Sequence, residues 1–213
     1  MTTLDAAWAK RWMCLARDAV QAERARLIEL DREIGDGDHG ENMDRGFHAV
    51  VDAIESASPT GVDEVLKLAA KSLMSTVGGA AGPLYGTAFL RAAKAAGNEV
   101  DAKAWVAMVT AALEGIQARG KATTGEKTMV DAWSAALDNA QQAVADGASL
   151  VDILAATAEG ARRGEEATTP MRATKGRASY LGERSIGHVD PGAASTTLIL
   201  AAAHAAVEGG ACG

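Results

Sequence analysis

The sequence predicts a single all-α domain of roughly eight helices, and three observations lead there. Aromatic residues make up only 4% of the 213 residues, while Ala, Leu, Glu and Arg, all strong helix formers, fill long stretches. Alternating β-branched runs of the kind that build strands are nearly absent. Apolar residues recur at three- and four-residue spacing in segments of one to two dozen residues, divided by short glycine-bearing breaks.

The first helix is expected over residues 3–30, with Trp8, Trp12, Leu15, Ala19 and Ala22 on one face. A second follows over 42–56, striped by Phe47, Val50, Val51 and Ile54. Pro59-Thr60-Gly61 breaks the chain before a third over 62–76, and the glycine cluster at 78–82 precedes a fourth from Pro83 to about residue 97. Residues 101–119, 128–146 and 149–167 read as the next three, and the last runs from Pro191 to about residue 208. Pro83 and Pro191 suit first-turn positions, where a missing N–H costs nothing. Asp190 and Ser149 suit N-caps, and Gly97 and Gly147 suit helix stops. One long stretch, 168–189, lacks periodicity, and a loop of that length inside a domain is usually functional. The other connections are short, so residues 1–213 read as one domain with sequential helices antiparallel.

The 21 Lys+Arg against 28 Asp+Glu leave a net charge of −7. That balance excludes a sequence-independent grip on nucleic acid or on an anionic membrane, each of which needs a basic patch. No uninterrupted apolar run approaches the ~18 residues of a spanning helix, and Asp5 stands where a signal peptide needs apolar residues. Cys14 and Cys212 are too few for a disulfide framework or a thiolate metal site, so a cytoplasmic location is the expectation.

The most informative segment is Asp31-Arg32-Glu33-Ile34-Gly35-Asp36-Gly37-Asp38-His39-Gly40-Glu41-Asn42, between the first two helices. Asp31 lies near a helix C-terminus, where the macrodipole already disfavours negative charge. Asp36 and Asp38 follow in a glycine turn that lets the backbone fold tightly. At ~4 Å and an effective dielectric near 20, each carboxylate pair repels by about 4 kcal/mol. A hard divalent cation such as Mg²⁺, which takes carboxylate oxygens, waters and phosphates, is the natural compensation. The plainer alternative is a solvated acidic turn whose glycines serve only geometry. An EF-hand does not fit, because the twelfth position from Asp36 is Phe47 where a bidentate Glu is required. A Gly-Lys-Ser/Thr phosphate loop is also missing from the sequence.

Two further segments carry chemistry. Gly78-Gly79-Ala80-Ala81-Gly82-Pro83 leads small residues into a helix N-terminus, where backbone N–H groups and the dipole favour an anion, although tight helix corners use the same composition. The stretch from Gly176 through Arg177, Tyr180, Arg184, Ile186 and His188 to Asp190-Pro191-Gly192 sets two arginines, a Tyr and a buried-looking Ile among glycines ahead of a helix. Trp8, Trp12, Trp105, Trp133, Met13, Met43, Met74 and Met108 read as core by their place on helical faces. His48 and His204 lie on ordinary helices without motif context.

Together with Gly125-Glu126-Lys127-Thr128-Met129, these segments occur in an order that resembles the nucleotide-binding L subunit of dihydroxyacetone kinases, across nearly the whole chain. The resemblance implies an antiparallel eight-helix barrel with a nucleotide site at one end. It implies that Asp31, Asp36 and Asp38 hold two Mg²⁺ ions bridging the phosphates of ADP or ATP. His39, Gly40, Glu41 and Asn42 would line the phosphate side, and Ala80 and Ala81 would offer backbone N–H groups. Gly120 and Met129 would touch the base, with Arg177 and Asp190, Pro191 and Gly192 closing the pocket. No catalytic group is implied in this chain beyond metal and nucleotide positioning. The acceptor, dihydroxyacetone, would be held covalently on a separate K subunit, and a phosphocarrier M subunit would rephosphorylate a tightly held ADP. Two departures stand out: Ala81 replaces a usual Ser, and Glu126 replaces a usual Asp. Two other readings share the acidic loop. One is an ATP-exchanging kinase subunit for another short-chain ketose such as erythrulose, and the other is a nucleotide-sensing module that binds a transcription regulator.

Overall fold

Residues 3–209 are described by the structure, a computed structural model; Cys212 lies outside them. Leu4 pairs with Val100 in an isolated antiparallel bridge, and the Asp5 carboxylate then accepts the Trp8 N–H at 3.0 Å. That cap starts the first helix, α1, at Ala6 rather than at residue 3. The helices are α1 Ala6–Ala22, α2 Arg24–Ile34, α3 His39–Ala57, α4 Val62–Thr76, α5 Ala81–Ala96, α6 Ala102–Gly120, α7 Met129–Ala145, α8 Leu150–Ala167 and α9 Pro191–Ala205. A 3₁₀ stretch, Arg177–Ser185, lies in the long loop, and a 3₁₀ turn, Ala206–Glu208, follows α9.

From α3 to α9 each helix packs on the next, and α1 lies between α9 and α3 and closes the ring. The described residues therefore form the expected all-α, eight-helix barrel, with α2 as an added arm packed on the start of α3. The expected punctuation holds. Ser149 accepts the Asp152 N–H at 3.2 Å and Asp190 accepts the Ala193 N–H at 2.8 Å. Gly97 and Gly147 follow α5 and α7 with φ of 66° and 74°, which suits glycine.

The start of α5 lies at Ala81, two residues before the expected Pro83, and two other boundaries differ more. The first expected helix is broken at Glu23 (φ −94°, ψ 7°), so α1 and α2 are separate and α2 continues to Ile34. No Gly or Pro marks the break. A tertiary contact is found there instead: a Cβ on Gly40 would stand 2.4 Å from the Arg24 carbonyl oxygen, so α3 presses its first turn onto that of α2. The second difference is that α3 begins at His39, three residues before the expected start at 42, because a carboxylate across the loop caps it.

All four tryptophans are buried, as expected. The indole N–H groups of Trp8 and Trp12 donate to Ala203 O (3.0 Å) and Ile199 O (2.8 Å), tying α1 to α9 where the ring closes. Trp105 donates to Thr157 Oγ1 at 2.9 Å and ties α6 to α8. Met13, Met43 and Met108 are core, but Met74 is 42% exposed because its thioether lies over Gly86 on the outside of the α4–α5 contact. No helix among the described residues is long and apolar enough to cross a membrane.

The crossing of α7 on α8 is close at two points. A Cβ on Gly160 would come within 2.4 Å of Ala135 O, and one on Gly164 within 2.5 Å of Asp131 O. Backbone cannot yield as a side chain can. Gly164→Ala should therefore lower the denaturant midpoint, with a loss of about 1–3 kcal/mol, whereas helix propensity alone would raise stability by about 1 kcal/mol. A raised midpoint would show that the two helices part freely.

Candidate functional site

The up-and-down order of the barrel sends the starts of α3, α5, α7 and α9 to one end. A single pocket there is walled by Asp38 and His39, Ala80 and Ala81, Thr128 and Met129, and Pro191 and Gly192, with Asp31 from the last turns of α2. Helix starts carry partial positive charge and orphan N–H groups, so four of them make an anion-favouring floor. Three of the four are satisfied internally. Asp31 Oδ2 accepts the N–H groups of Asp38 (2.9 Å) and His39 (3.1 Å) at α3. Thr128 and Asp131 form a capping box at α7, and Asp190 caps α9. No side chain caps α5, whose N-cap is Ala80 behind an open Gly79 with φ of 65°.

Asp31, Asp36 and Asp38 come together as the sequence predicts, with one carboxylate oxygen from each within 4.8 Å of the others. Asp31 is buried, and the turn closes over it so tightly that a Cβ on Gly35 would lie 2.1 Å from Asp31 Oδ1. Burial raises the Asp31 pKa above the usual carboxylate value, the His39 and Asp38 N–H groups oppose that, and Asp36 and Asp38 add to it. Arg177 Nη1 reaches Asp36 Oδ2 at 2.6 Å, a single cationic contact for three carboxylates among the described ion pairs. With Oδ2 of Asp31 taken by backbone donors, Oδ1 is left for a ligand. An all-oxygen, anionic donor set of this kind fits a hard divalent cation such as Mg²⁺.

Behind the pocket wall lies an uncharged polar layer. His39 Nε2 meets Ser195 Oγ at 2.9 Å, and the Tyr85 hydroxyl meets Ser195 Oγ at 2.7 Å and Thr196 Oγ1 at 2.9 Å. Burial pushes the His39 pKa down to about 4, against an opposing hydrogen bond to the Pro191 backbone. Burial likewise raises Tyr85 well above the usual phenol. Asp190 is pushed up to about 7, chiefly by desolvation; Asp131 and Asp31 add to the rise, while the Ala193 N–H and Lys127 oppose it.

Most residues singled out by sequence meet here. Asn42, Arg177 and Asp190 join the wall, while Gly40, Glu41 and Gly120 stay out of it. Gly40 serves the α2–α3 contact, Glu41 pairs with Arg24 at 2.5 Å, and Gly120 ends α6 where its Cβ would be 3.1 Å from Leu84. Ile186 is 46% exposed and Tyr180 88% exposed, which corrects the expectation of a buried Ile in the long loop. Sequence reasoning assigned nothing to Leu84, Lys127, Thr128 and Lys175, which also line the pocket. Lys127 and Thr128 fall inside the segment Gly125-Glu126-Lys127-Thr128-Met129, Leu84 directly follows Pro83, and Lys175 directly precedes Gly176 in the long loop. Glu126 accepts the Thr123 N–H (2.7 Å) and the Thr174 hydroxyl (3.1 Å), so it braces the loop beside the pocket.

Fold and site define an all-α barrel with an acidic, anion-facing pocket at one end. Residues 33–205 match the family described as DAK2 domain. The chain is 44% identical over 198 residues to the ADP-binding subunit DhaL of a PEP-dependent dihydroxyacetone kinase 1 from Listeria innocua, covering 92% of this chain and 94% of that protein. It is 46% identical over 188 residues to the ADP-binding subunit DhaL of a PTS-dependent dihydroxyacetone kinase from Lactococcus lactis, covering 88% and 91%. The barrel also superposes on the crystal structure of the dihydroxyacetone kinase from C. freundii in complex with AMP-PNP and Mg²⁺, with a TM-score of 0.70 at 21% identity over 95% of this chain and 34% of that one. The chain belongs to the DAK2-domain family of dihydroxyacetone kinase ADP-binding subunits.

The two shifted groups at the site pull stability in opposite directions. His39 titrates at about 4 rather than 6.5, so it contributes stability that is present above pH 6.5 and lost as pH falls toward 4. Asp190 titrates at about 7 rather than 3.8, so its contribution is present below pH 3.8 and lost as pH rises through 7. Between pH 4 and 6.5 the two slopes offset each other. Relative to the parent, Asp190→Asn should steepen the rise of stability with pH over that window by roughly 1–3 kcal/mol, and His39→Asn should tilt it the other way. Urea midpoints at pH 4, 5 and 6 check this; unchanged slopes in both variants would contradict the burial argument.

Proposed function

We propose that the whole chain, residues 1–213, is the cytoplasmic nucleotide-holding subunit of a dihydroxyacetone kinase. It would hold ADP or ATP with two Mg²⁺ ions and deliver the phosphoryl group to dihydroxyacetone carried by a separate K subunit. A phosphocarrier M subunit would then rephosphorylate the ADP in place. The observation that carries this reading is the placement of three carboxylates, with donor atoms within 4.8 Å, beside the start of α5, which no side chain among the described residues caps. The near-full-length likeness to proteins named as ADP-binding subunits supports it.

When bound, Mg²⁺ neutralises phosphate oxygens and the charge that develops during phosphoryl transfer. The residues of this chain would supply positioning. Asp31, Asp36 and Asp38 would hold the metal, with Asp31 fixed by two backbone N–H groups. The N–H groups of Ala80 and Ala81 would face phosphate, so the missing Ser hydroxyl at position 81 removes only a side-chain contact. Met129, with Gly120 behind Leu84, would bound the base, and Asn42 and neutral His39 would border the phosphates. Arg177 would turn its planar fork toward phosphate oxygens. Nothing in this set immobilises a ketose, and in-line positioning of the acceptor carries much of the rate of a kinase.

Melting temperatures with ADP, with Mg²⁺ and with both test the reading. Each ligand should stabilise the fold and strengthen the other's effect, with about 2.7 kcal/mol expected at a hundredfold excess over Kd. Equal values in all conditions, after confirmed removal of bound ligand, would sink it. Asp36→Asn should remove most of the effect, and Arg177→Lys should weaken nucleotide binding about tenfold. The isolated chain given ATP, Mg²⁺ and dihydroxyacetone should form no phosphorylated ketose. Steady turnover under those conditions would make it a self-contained kinase.

A further inference from the structure

We propose that Lys127 is the positioning residue of this site: it gathers both ends of the loop between α8 and α9 and thereby sets where Arg177 and Asp190 stand. The proposal rests on the nucleotide reading above only for the ligand used to test it.

Lys127 is 1% exposed, and its ammonium makes no ion pair among the described residues. It donates instead to carbonyl oxygens at the two ends of the loop, Thr168 O at 2.5 Å and His188 O, with Thr169 O at 3.4 Å. Thr168 is the C-cap of α8, where orphan carbonyls and the negative end of the dipole favour a cation. Two more bonds draw the same neck together: Gly187 N–H to Thr169 O at 2.8 Å, and Asp190 N–H to Thr168 Oγ1 at 3.0 Å. Removing the ammonium would leave the His188 carbonyl without its donor and the two strands of the neck without their shared tie, while Thr168 O would keep the Met171 N–H (3.1 Å) and Thr169 O the Gly187 N–H. Lys127 also sits at φ 61°, in the left-handed region that residues other than glycine seldom adopt.

What the neck holds reaches the pocket by two routes. Asp190, next to the neck, caps α9 and carries Pro191 and Gly192 into the wall. Farther out, Ser185 accepts the Ala173 N–H at 2.9 Å and donates to Gly182 O at 2.6 Å, bracing the loop across its width. Ala173 and Ala178 then pack on Ile34, and Arg177 lies over Asp36. A shift at the neck therefore moves Arg177. Lys127 itself faces the pocket, yet its donors are directed at carbonyls, so its influence on a ligand runs through the loop.

Titration of Mg²⁺–ADP into Lys127→Met, Arg177→Ala and the double variant, well below the lowest melting temperature, tests this. Each single change should weaken binding about tenfold, and the double variant should be weaker than either single by no more than about threefold. Trypsin should also cut after Lys175, Arg177 or Arg184 faster in Lys127→Met than in the parent. A purely structural lysine would lower the melting temperature and leave the affinity of the folded protein alone, and that result overturns the proposal. Independent losses that multiply to about a hundredfold would mean that Lys127 touches phosphate directly, and would overturn it as well. If Lys127→Met does not fold, Thr168→Val opens the same neck and is read by the same criteria. Should the parent fail to bind Mg²⁺–ADP, the function reading falls, while loop cleavage still decides the neck: equal cleavage in parent and variant overturns it.

Discussion

The direction of the helices is the constraint on which the site depends. A closed ring of antiparallel helices brings four helix starts to one end, and each brings backbone N–H groups that need acceptors. The acids clustered there answer that need first. Asp31 caps α3 from the end of α2, Asp131 completes the box at α7, and Asp190 caps α9. The start of α5 has only Gly78, Gly79 and Ala80 ahead of it, and glycine and alanine have no side-chain acceptor. The anion-facing opening is thus what remains when the other three ends have been satisfied. Ring closure keeps this arrangement in register, and the indoles of Trp8 and Trp12 fix it by donating into α9.

A second consequence concerns charge. Beneath an opening that already holds Asp31, Asp36, Asp38 and Asp190, a further ion would face a heavy desolvation cost. The layer behind the wall is built from groups that bond without charge: His39, Tyr85, Ser195 and Thr196. Burial keeps the imidazole neutral and the phenol protonated, so α3, α5 and α9 are joined by hydrogen bonds whose strength does not depend on salt. His39 is therefore a neutral border to the pocket rather than a cationic clamp.

Elements set by local physics were legible in the sequence. The helical periods, the caps at Ser149 and Asp190 and the glycine stops at Gly97 and Gly147 depend on residues within one turn of the boundary. Three aspartates in eight residues with glycines between them announce a crowded carboxylate site for the same reason. Features set by distant contacts were not legible. Glu23 breaks a helix because Gly40 admits α3 against Arg24, and α3 starts early because Asp31 lies across the turn. Met74 looks like core by its spacing, yet the bare backbone of Gly86 lets it lie on the outside. Nothing in the sequence sets Lys127 apart within its segment, since its partners stand 41 and 61 residues away.

The long loop shows how these levels combine. Its tip is tied by Arg177 on Asp36, with side chains 65% and 36% exposed, an ion pair that water and salt weaken strongly. Its neck is tied by a buried ammonium on carbonyls, which solvent does not reach. The small apolar contact of Ala173 and Ala178 on Ile34 lies between them. A segment held firmly at its base and loosely at its tip has its reach set at the base and its contact set at the end. Arg177 can therefore exchange one anionic partner for another without dismantling the loop, because the bonds that fix its reach are not the bonds it would give up.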